Sequence, residues 1–195
     1  MSWVGEHAAF VSSFLRDWRT TGSIAPSSRW LAAEMIRGAG LETAETIVEA
    51  GAGMGSLTAP ILAAARPGAL VMAVELNNGF AARLAEKFPG LAVVAGSVEH
   101  LPDHLAAAGR PHADCVLSSL PWASLPRDVQ VALLAAIAGA LRPGGTFATY
   151  TYLQALAMPG SRFFRRQLGR HFSAVSRSPV VWRNLPPAFV IRARR

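Results

Sequence analysis

Residues 47–58 read IVEAGAGMGSLT, and residues 70–75 read LVMAVE. In the first stretch an apolar run contains Glu49, and a glycine-rich turn and a helix-like segment follow it. The glycines are Gly51, Gly53 and Gly55. Such a turn lets backbone N–H groups approach a ligand, and the following helix offers its positive end to an anion. Glu75, twenty residues beyond the last glycine, is placed to accept ribose hydroxyls. The pattern predicts a site for a nucleoside-containing cofactor, with a ligand-free tight turn as the alternative.

The spacing of the glycines indicates which cofactor. A dinucleotide fingerprint needs glycines at the first, third and sixth positions of the turn. Here the sixth position is Ser56. Together with Glu49 and Met54, the turn resembles the first motif of class I S-adenosylmethionine-dependent methyltransferases, whose cofactor carries an amino acid instead of a pyrophosphate. The resemblance implies that S-adenosyl-L-methionine binds here and leaves as S-adenosyl-L-homocysteine.

The order of apolar runs and helix-like segments predicts the fold. Continuous apolar strands that alternate with helices indicate a parallel sheet covered on both faces. Strands are expected near 47–50, 70–75, 91–96, 113–119 and 146–152, and helices near 56–65, 78–88, 102–108 and 127–141. A turn is expected at 142–145, and two further strands at 172–182 and 188–194. The LRPGG break and this final hairpin also resemble class I methyltransferases. We therefore expect an α/β, Rossmann-like, seven-stranded and mostly parallel sheet with a C-terminal antiparallel hairpin.

Length and composition limit the remaining possibilities. A chain of 195 residues is one domain of ordinary size, which we divide into an N-terminal helical part, residues 1–40, and a methyltransferase core, residues 41–195. The longest uncharged apolar stretch, residues 129–141, is too short to cross a bilayer. The start of the chain does not resemble a secretion signal. The single cysteine, Cys115, lies in an apolar run, which suits a reducing cytosol and a buried core position.

The charge is distributed unevenly along the chain. Residues 1–128 contain nine basic and twelve acidic residues, whereas residues 129–195 contain ten arginines and no acidic residue. A cationic surface of this kind attracts nucleic acid or anionic lipid head groups. Arginine is also the dominant basic residue of the whole chain, so arginines kept for solubility alone are the alternative.

In a doubly wound sheet, ligands bind beyond the carboxyl ends of the strands. The glycine turn, Glu75 and the segments 96–99 and 118–122 should therefore converge. By resemblance, Glu75 holds the ribose and Leu76 packs on the adenine, while Ser97, Val98 and Glu99 flank it. Ser118 belongs to the same predicted cofactor site. Val98 as plain core and Glu99 as a solvated acid are the alternatives.

Residues 118–122, SSLPW, occupy the place of the fourth methyltransferase motif. In the enzymes that this motif resembles, which methylate base amines, the motif is typically Asn or Asp, then two residues including Pro, and then an aromatic residue. Here Ser119 takes the polar position and Trp122 the aromatic one. An alkylammonium gains about 0.5 to 2 kcal/mol over an indole face, although Trp122 as a core aromatic is the alternative. Tyr150 and Tyr152 are further candidates for contact with an amine, or else pack in a strand.

The N-terminal segment shows helical periodicity with an aromatic apolar face. Its members include Trp3, Phe10, Phe14 and Trp18, with Arg16 and Arg19 on other faces. Helices of this character lie in the head-group region of membranes. Packing across the protein's own core is the alternative.

Taken as a whole, the chain resembles the bacterial phospholipid N-methyltransferases. The resemblance rests on the aromatic N-terminal helix, GSIAPSS at 22–28, the glycine turn, SLPW, LRPGG and WRNLPPA at 182–188. It implies methylation of phosphatidylethanolamine and its mono- and dimethylated forms, giving phosphatidylcholine. We expect a cytoplasmic protein attached peripherally to the anionic inner face of the cytoplasmic membrane. Arg162, Arg165 and Arg183 are candidates for lipid phosphate, and no nucleic-acid or obligate protein partner is expected.

Two other functions remain open from the sequence. An RNA adenine dimethyltransferase-like enzyme shares the sheet and a similar fourth motif, but Ser119 replaces the usual acceptor and no additional C-terminal helical domain is expected. A non-catalytic lipid- or nucleic-acid-binding module is the third possibility. His100 and His104 are four residues apart but have no further ligand nearby in sequence, so no metal site is expected.

Overall fold

The structure, a computed structural model, describes residues 27–195. It contains a seven-stranded sheet in the order β3-β2-β1-β4-β5-β7-β6. The strands are β1 (Thr46–Ala50), β2 (Leu70–Glu75), β3 (Ala92–Ala95), β4 (Ala113–Ser118), β5 (Leu141–Tyr152), β6 (Ala174–Arg177) and β7 (Ala188–Arg194). The first five are parallel, and β7 runs antiparallel to both β5 and β6. The predicted fold class and C-terminal hairpin are confirmed.

Helices cover both faces of this sheet. They are α1 (Arg29–Ile36), α2 (Thr58–Ala64), α3 (Asn78–Lys87), α4 (Leu101–Ala107), α5 (Arg127–Ala140) and α6 (Pro159–His171), with short 3-10 helices at Val98–His100 and Leu153–Ala157. The side chains of α1, α2 and α3 pack on one face, and those of α4, α5 and α6 pack on the other. Alternate residues of the central strands point to opposite faces of the sheet. Ile47 therefore packs with α1, α2 and α3, and Val48 packs with α4, α5 and α6.

Local chemistry explains where these helices begin. Ser28 and Asn77 each cap a helix, because their side-chain oxygens accept hydrogen bonds from the backbone N–H groups of Leu31 and Phe80. Pro102 lies in the first turn of α4, where its missing N–H removes no helical hydrogen bond.

The C-terminal strands differ from the prediction in two places. The strand expected over 172–182 is only Ala174–Arg177. Pro179 interrupts the pairing because it has no backbone N–H to donate, and Val181 alone rejoins as a bridge to Ala188. The turn expected at 142–145 lies within β5, which pairs with β4 through a register shift between Ala113 and Cys115.

Most of the predicted N-terminal part lies outside the described residues, including Trp3, Phe10, Phe14, Arg16, Trp18 and Arg19. The division at residue 40 and the membrane role of this segment therefore stay predictions. Within residues 27–195, no helix combines the length and the apolar character that crossing a bilayer demands. Cys115 is buried in the sheet, as its apolar surroundings predicted.

Candidate functional site

The carboxyl ends of the parallel strands meet at one edge of the sheet. Ala50 at the end of β1 is in register with Val74 of β2 and with Ser118 of β4, and Ser118 is in register with Thr149 of β5. The glycine turn, Glu75 and the SSLPW segment therefore leave the sheet side by side. The structure brings together what the sequence predicted would converge.

The glycine turn adopts backbone conformations that other residues rarely adopt. Gly51, Gly53 and Gly55 have φ angles of 79°, 58° and 81°. A Cβ at Gly51 would come within 2.7 Å of the Leu120 side chain, and one at Gly55 within 2.6 Å of Phe88. The turn therefore needs glycine for close packing as well as for conformation. Met54, between the last two glycines, is half exposed.

Glu75 fixes this turn from the neighbouring strand. Its side chain is 3 % exposed. One carboxylate oxygen accepts a hydrogen bond from the Gly53 N–H at 2.8 Å, and the other accepts one from the Asn77 N–H at 2.9 Å. Each oxygen has a second lone pair, so the carboxylate can also accept ribose hydroxyls. The same acid thus shapes the turn and is positioned to hold a nucleoside.

Glu49 is the second buried acid of this end of the sheet. Its Oε2 accepts a hydrogen bond from the Thr58 hydroxyl at 2.5 Å. Its Oε1 is buried without a hydrogen-bond partner within residues 27–195. Burial raises the pKa of Glu49 to about 8, against the Thr58 hydrogen bond and with a further contribution from Glu75. An unpartnered buried carboxyl oxygen beside the glycine turn fits the ammonium group in the amino-acid part of S-adenosylmethionine.

The segment after β3 occupies the predicted adenine side. The Ser97 hydroxyl accepts a hydrogen bond from the Glu99 N–H, and the Ser97 carbonyl lies 3.0 Å from His104 Nε2. Val98 is 5 % exposed and belongs to the core. Leu76 packs against the same core, and Glu99 is partly exposed. The residues described contain no cluster of His, Cys, Asp or Glu suited to a metal ion.

A cavity of about 140 Å³ lies on the other side of the glycine turn. Leu120 separates the two, because it lines the cavity and contacts the turn at Gly51. The walls come from the SSLPW segment, the end of β5, the following 3-10 helix and the loop before β7. The lining residues are Ser119, Leu120, Pro121, Trp122, Ala123, Ser124, Tyr150, Thr151, Tyr152, Gln154, Ala155, Met158 and Pro186. None of these side chains carries a charge at neutral pH.

Two hydroxyls of this cavity lack partners. Ser124 Oγ and the Tyr152 hydroxyl are buried and have no hydrogen-bond partner among the described residues. The rings of Tyr150 and Tyr152 meet edge to face, with centroids 5.5 Å apart. Burial raises the pKa of Tyr152, and Tyr150 raises it further, so this phenol keeps its proton at neutral pH. Buried polar groups are nearly always paired, so these two hydroxyls are available to a water molecule or to a ligand.

The structure corrects the predicted role of Trp122. Its side chain is 2 % exposed. One ring face stacks on Phe164 with centroids 4.6 Å apart, and the ring meets Phe147 edge to face. The indole N–H donates to Ser118 Oγ at 3.2 Å. Trp122 is therefore a core aromatic that also forms part of the cavity wall, with one ring face covered by Phe164.

Ser118 and Ser119 have distinct roles at the end of β4. The Ser118 hydroxyl also accepts a hydrogen bond from the Leu120 N–H and so shapes the turn of the motif. The Ser119 N–H donates to the Ala50 carbonyl at 3.1 Å, which ties the motif to the end of β1. Of the pair, only Ser119 lines the cavity.

Two further residues of this site, Gln130 and Ser124, belong to none of the sequence motifs. Gln130 is fully buried in α5, and its amide donates to the carbonyls of Trp122 and Leu125 at 2.7 and 3.0 Å. It thereby holds the loop that carries Ser124. The sequence singles out Gln130 only as a lone polar residue in an apolar helix. It does not single out Ser124, because the lack of a hydrogen-bond partner for its hydroxyl appears only in the folded protein.

The predicted phosphate-binding arginines lie on different elements. Arg162 and Arg165 belong to α6, where Arg165 donates to the Ser161 hydroxyl at 2.8 Å. Burial lowers the pKa of Arg165, and the neighbouring Arg177 and Arg162 lower it further. Arg183 lies in the loop before β7, with its guanidinium 5.3 Å from the Trp30 ring centre. The structure does not gather these three arginines into a single phosphate site.

Comparison with known proteins agrees with this geometry. Residues 47–145 match a family model described as a methyltransferase domain. An ornithine lipid N-methyltransferase from Singulisphaera acidiphila is 35 % identical over 184 residues, which cover 92 % of this chain and 91 % of that protein.

Solved structures show the same fold at low identity. The O-methyltransferase from Bacillus cereus, in complex with S-adenosylhomocysteine, superposes with a TM-score of 0.67 at 13 % identity, over 96 % of this chain and 91 % of that one. Magnesium protoporphyrin IX methyltransferase from Synechocystis, with bound S-adenosylmethionine, gives 0.62 at 15 % identity, over 85 % and 76 %. The glycine turn, the two buried acids and these matches agree, and the chain belongs to the class I S-adenosylmethionine-dependent methyltransferases.

Proposed function

We propose that this enzyme methylates the amine of phosphatidylethanolamine and of its mono- and dimethylated forms, giving phosphatidylcholine at a membrane surface. The observation that carries the proposal is the uncharged cavity beside the cofactor turn, with two unpartnered hydroxyls. The relative from Singulisphaera acidiphila, a lipid N-methyltransferase by name, supports a lipid amine as the acceptor.

The cavity chemistry suits an amine nucleophile. Only an unprotonated nitrogen has a lone pair to attack a methyl group, and a carboxylate nearby would favour the ammonium form. The lining includes no acid, and the hydroxyls of Tyr152 and Ser124 can orient the nitrogen without holding it as an ammonium ion. Orientation of this kind supplies a large part of the rate.

The cofactor end of the site supplies the other reactant. Glu75 and the glycine turn would hold S-adenosylmethionine, and Glu49 would face its amino-acid part. When bound, this cofactor provides a sulfonium methyl group whose transfer to nitrogen leaves S-adenosylhomocysteine. The nitrogen releases its proton to solvent before the attack, so the site needs no dedicated strong base.

The charge of the protein supports work at an anionic membrane. Helix α6 carries four arginines and no acidic residue, and three arginines, Arg127, Arg162 and Arg166, surround Phe163 on its surface. The guanidinium of Arg127 lies 5.3 Å from the Phe163 ring centre. Arginines grouped on one surface are suited to the phosphates of a bilayer.

Ornithine lipid is the second candidate acceptor, and the name of the relative favours it. Its head group also joins a primary amine to an anion, which is a carboxylate instead of a phosphate. The uncharged cavity accommodates either amine. The two candidates therefore differ in the anion that must be recognised outside the cavity.

The test is a methylation assay on vesicles of phosphatidylglycerol containing either phosphatidylethanolamine or ornithine lipid, with labelled S-adenosylmethionine and separation of the lipid products. We expect mono-, di- and trimethylated phosphatidylethanolamine. Label in ornithine lipid alone would replace the first candidate by the second. Cofactor binding with no labelled lipid would refute both, and label in added RNA would favour an RNA methyltransferase.

A matched pair of variants ties the product to this site. Glu75→Gln should abolish lipid labelling, because it disrupts the cofactor turn. Glu86→Gln, an exposed acid on α3, changes the net charge equally and should leave labelling within about twofold. Equal activity in the two variants would assign the labelling to a contaminant.

A further inference from the structure

The loop between β6 and β7 exposes two large hydrophobic side chains. Trp182 is 71 % exposed and Leu185 is 82 % exposed, more than any other large hydrophobic residue in the described part of the chain. Scattered single hydrophobics are ordinary on a protein surface, but two within four residues concentrate exposed apolar surface on one loop.

This loop is held in a fixed shape by Asn184, which is 2 % exposed. Its side-chain oxygen accepts a hydrogen bond from the Ser28 N–H at 2.9 Å, and its amide donates to the Pro186 carbonyl at 2.7 Å. Val181 and Ala188 close the base of the loop as an antiparallel bridge. The buried asparagine therefore presents Trp182 and Leu185 outward from a framed loop.

Cationic side chains flank the exposed pair. Arg183 stands between them in sequence, and the guanidinium groups of Arg29 and Arg183 lie 4.1 and 5.3 Å from the ring centre of Trp30. Trp30 is itself 37 % exposed. Residues 178–187 contain no acidic residue. Tryptophan with neighbouring arginine is the composition that proteins use at the level of lipid head groups.

The loop also continues into the cavity. Pro186, the residue after Leu185, lines it together with Tyr150 and Tyr152. A surface that received Leu185 would therefore lie next to the acceptor cavity. A bilayer fits this position because it presents both apolar chains for the exposed side chains and phosphates for the arginines.

We propose that the Trp182–Leu185 loop inserts into the interfacial layer of a phospholipid bilayer. Trp182 and Leu185 enter the boundary between head groups and acyl chains, and Arg183 and Arg29 contact lipid phosphates. The cavity then faces the head-group layer, from which the amine enters. The role of the cavity rests on the proposed lipid methylation, whereas insertion of the loop is measured independently.

A fluorophore sensitive to its environment, attached at Trp182→Cys, tests insertion directly. The natural Cys115 is 1 % exposed, and burial raises the pKa of its thiol to about 12, so it does not compete for the label. With phosphatidylglycerol and phosphatidylethanolamine vesicles we expect a blue shift and at least a twofold rise in emission. The same label at Ala108→Cys, exposed near the amino ends of the strands, should not change.

Three outcomes would overturn insertion. In the first, the emission of the label at position 182 would stay unchanged while the protein co-sediments with vesicles. In the second, the protein would not bind vesicles at all. Alternatively, the label is already blue-shifted in buffer and does not respond to vesicles, which would mean that residues 1–26 or a second copy cover the loop.

The functional arm uses the double variant Trp182→Ser with Leu185→Ser. Methylation of phosphatidylethanolamine in vesicles should fall at least tenfold, while methylation of a monomeric short-chain phosphatidylethanolamine stays within twofold. Val175→Ser, at another exposed hydrophobic position on β6, is the matched control and should change neither. An equal loss of activity on both substrates would show that the loop shapes the cavity and does not insert into the bilayer. Failure of the natural protein on both lipids would refute the proposed function and leave the fluorescence result to decide on insertion.

Discussion

The two halves of the active-site edge are built from opposite chemistry. On the cofactor side, Glu49 and Glu75 are both buried, 0 % and 3 % exposed, and hydrogen-bond to groups of the glycine turn and α2. On the acceptor side, the cavity is lined by hydroxyls and apolar groups without a single acid. The difference teaches that buried carboxyl groups are placed where the ligand carries an ammonium group and are avoided where an amine must stay neutral.

The two halves also differ in how their parts are joined. Glu49 and Thr58 are nine residues apart and belong to one strand-turn-helix unit. The cavity instead assembles Ser124, Tyr152 and Pro186 from three separate segments, and α6 must approach one of these segments closely. The cofactor side is thus the more local of the two, although Glu75 reaches Gly53 across 22 residues, and the acceptor side depends on tertiary packing.

The largest expected effect tests that dependence on packing. A Cβ at Gly160 in α6 would lie only 2.2 Å from the Ala123 carbonyl oxygen, which is backbone and cannot rotate away. Gly160→Ala should therefore lower the free energy of unfolding by about 3 kcal/mol and distort the cavity. Gly169 is in the same helix with nothing within 4 Å, so Gly169→Ala should stabilise by up to about 1 kcal/mol. Denaturant unfolding compares them, and equal effects would contradict the close approach.

The next effect concerns the cofactor side. In Glu75→Gln the amide N–H₂ must face one of two backbone N–H donors, Gly53 or Asn77, and that donor loses its acceptor. We expect affinity for S-adenosylmethionine to fall at least about 30-fold, equivalent to about 2 kcal/mol. Calorimetric titration measures it. Affinity equal to that of the natural protein would remove Glu75 from the cofactor site.

A smaller effect separates binding hydroxyls from structural ones. Ser124→Ala with Tyr152→Phe removes hydroxyls that have no partner in the described residues, so stability should change by less than about 0.5 kcal/mol. Activity on the lipid should nevertheless fall about tenfold, with cofactor affinity unchanged. Ser118→Ala, whose hydroxyl accepts two hydrogen bonds, should instead cost about 1 kcal/mol of stability. Kinetics and thermal unfolding distinguish the cases, and full activity in the double variant would show that the cavity holds no acceptor.

The last expected effect is a pH dependence of stability on the cofactor side. The pKa of Glu49 is raised from 4.5 to about 8 in the folded protein, so the folded state keeps a proton that the unfolded state loses. Its contribution to stability is complete below pH 4.5 and declines as the pH rises to about 8, by less than about 1.4 kcal/mol per pH unit. Glu49→Gln cannot ionise and should lack this decline. Unfolding of both proteins without cofactor, between pH 5 and pH 8, checks the difference, and parallel curves would contradict it.

Much of the cofactor side was predictable from the sequence because its signals are local. Glycines needed for positive φ, an acid ending a buried strand and helix caps such as Asn77 all act within a few residues. The order of apolar runs likewise predicted the sheet, and the resemblance to class I methyltransferases implied its antiparallel hairpin. The strand expected over 172–182 was too long because apolar patterning does not register the donor that Pro179 lacks.

By itself, the sequence determined the methyltransferase fold, the cofactor turn and the cationic C-terminal third. Only the tertiary structure decided that Trp122 is a core aromatic, that Ser124 and Tyr152 leave unpartnered hydroxyls in one cavity, and that Trp182 and Leu185 stand exposed beside it. The physical reason is range. Turn conformation and strand patterning are set by neighbouring residues, whereas burial of a ring or isolation of a hydroxyl depends on segments that meet only when the chain has packed.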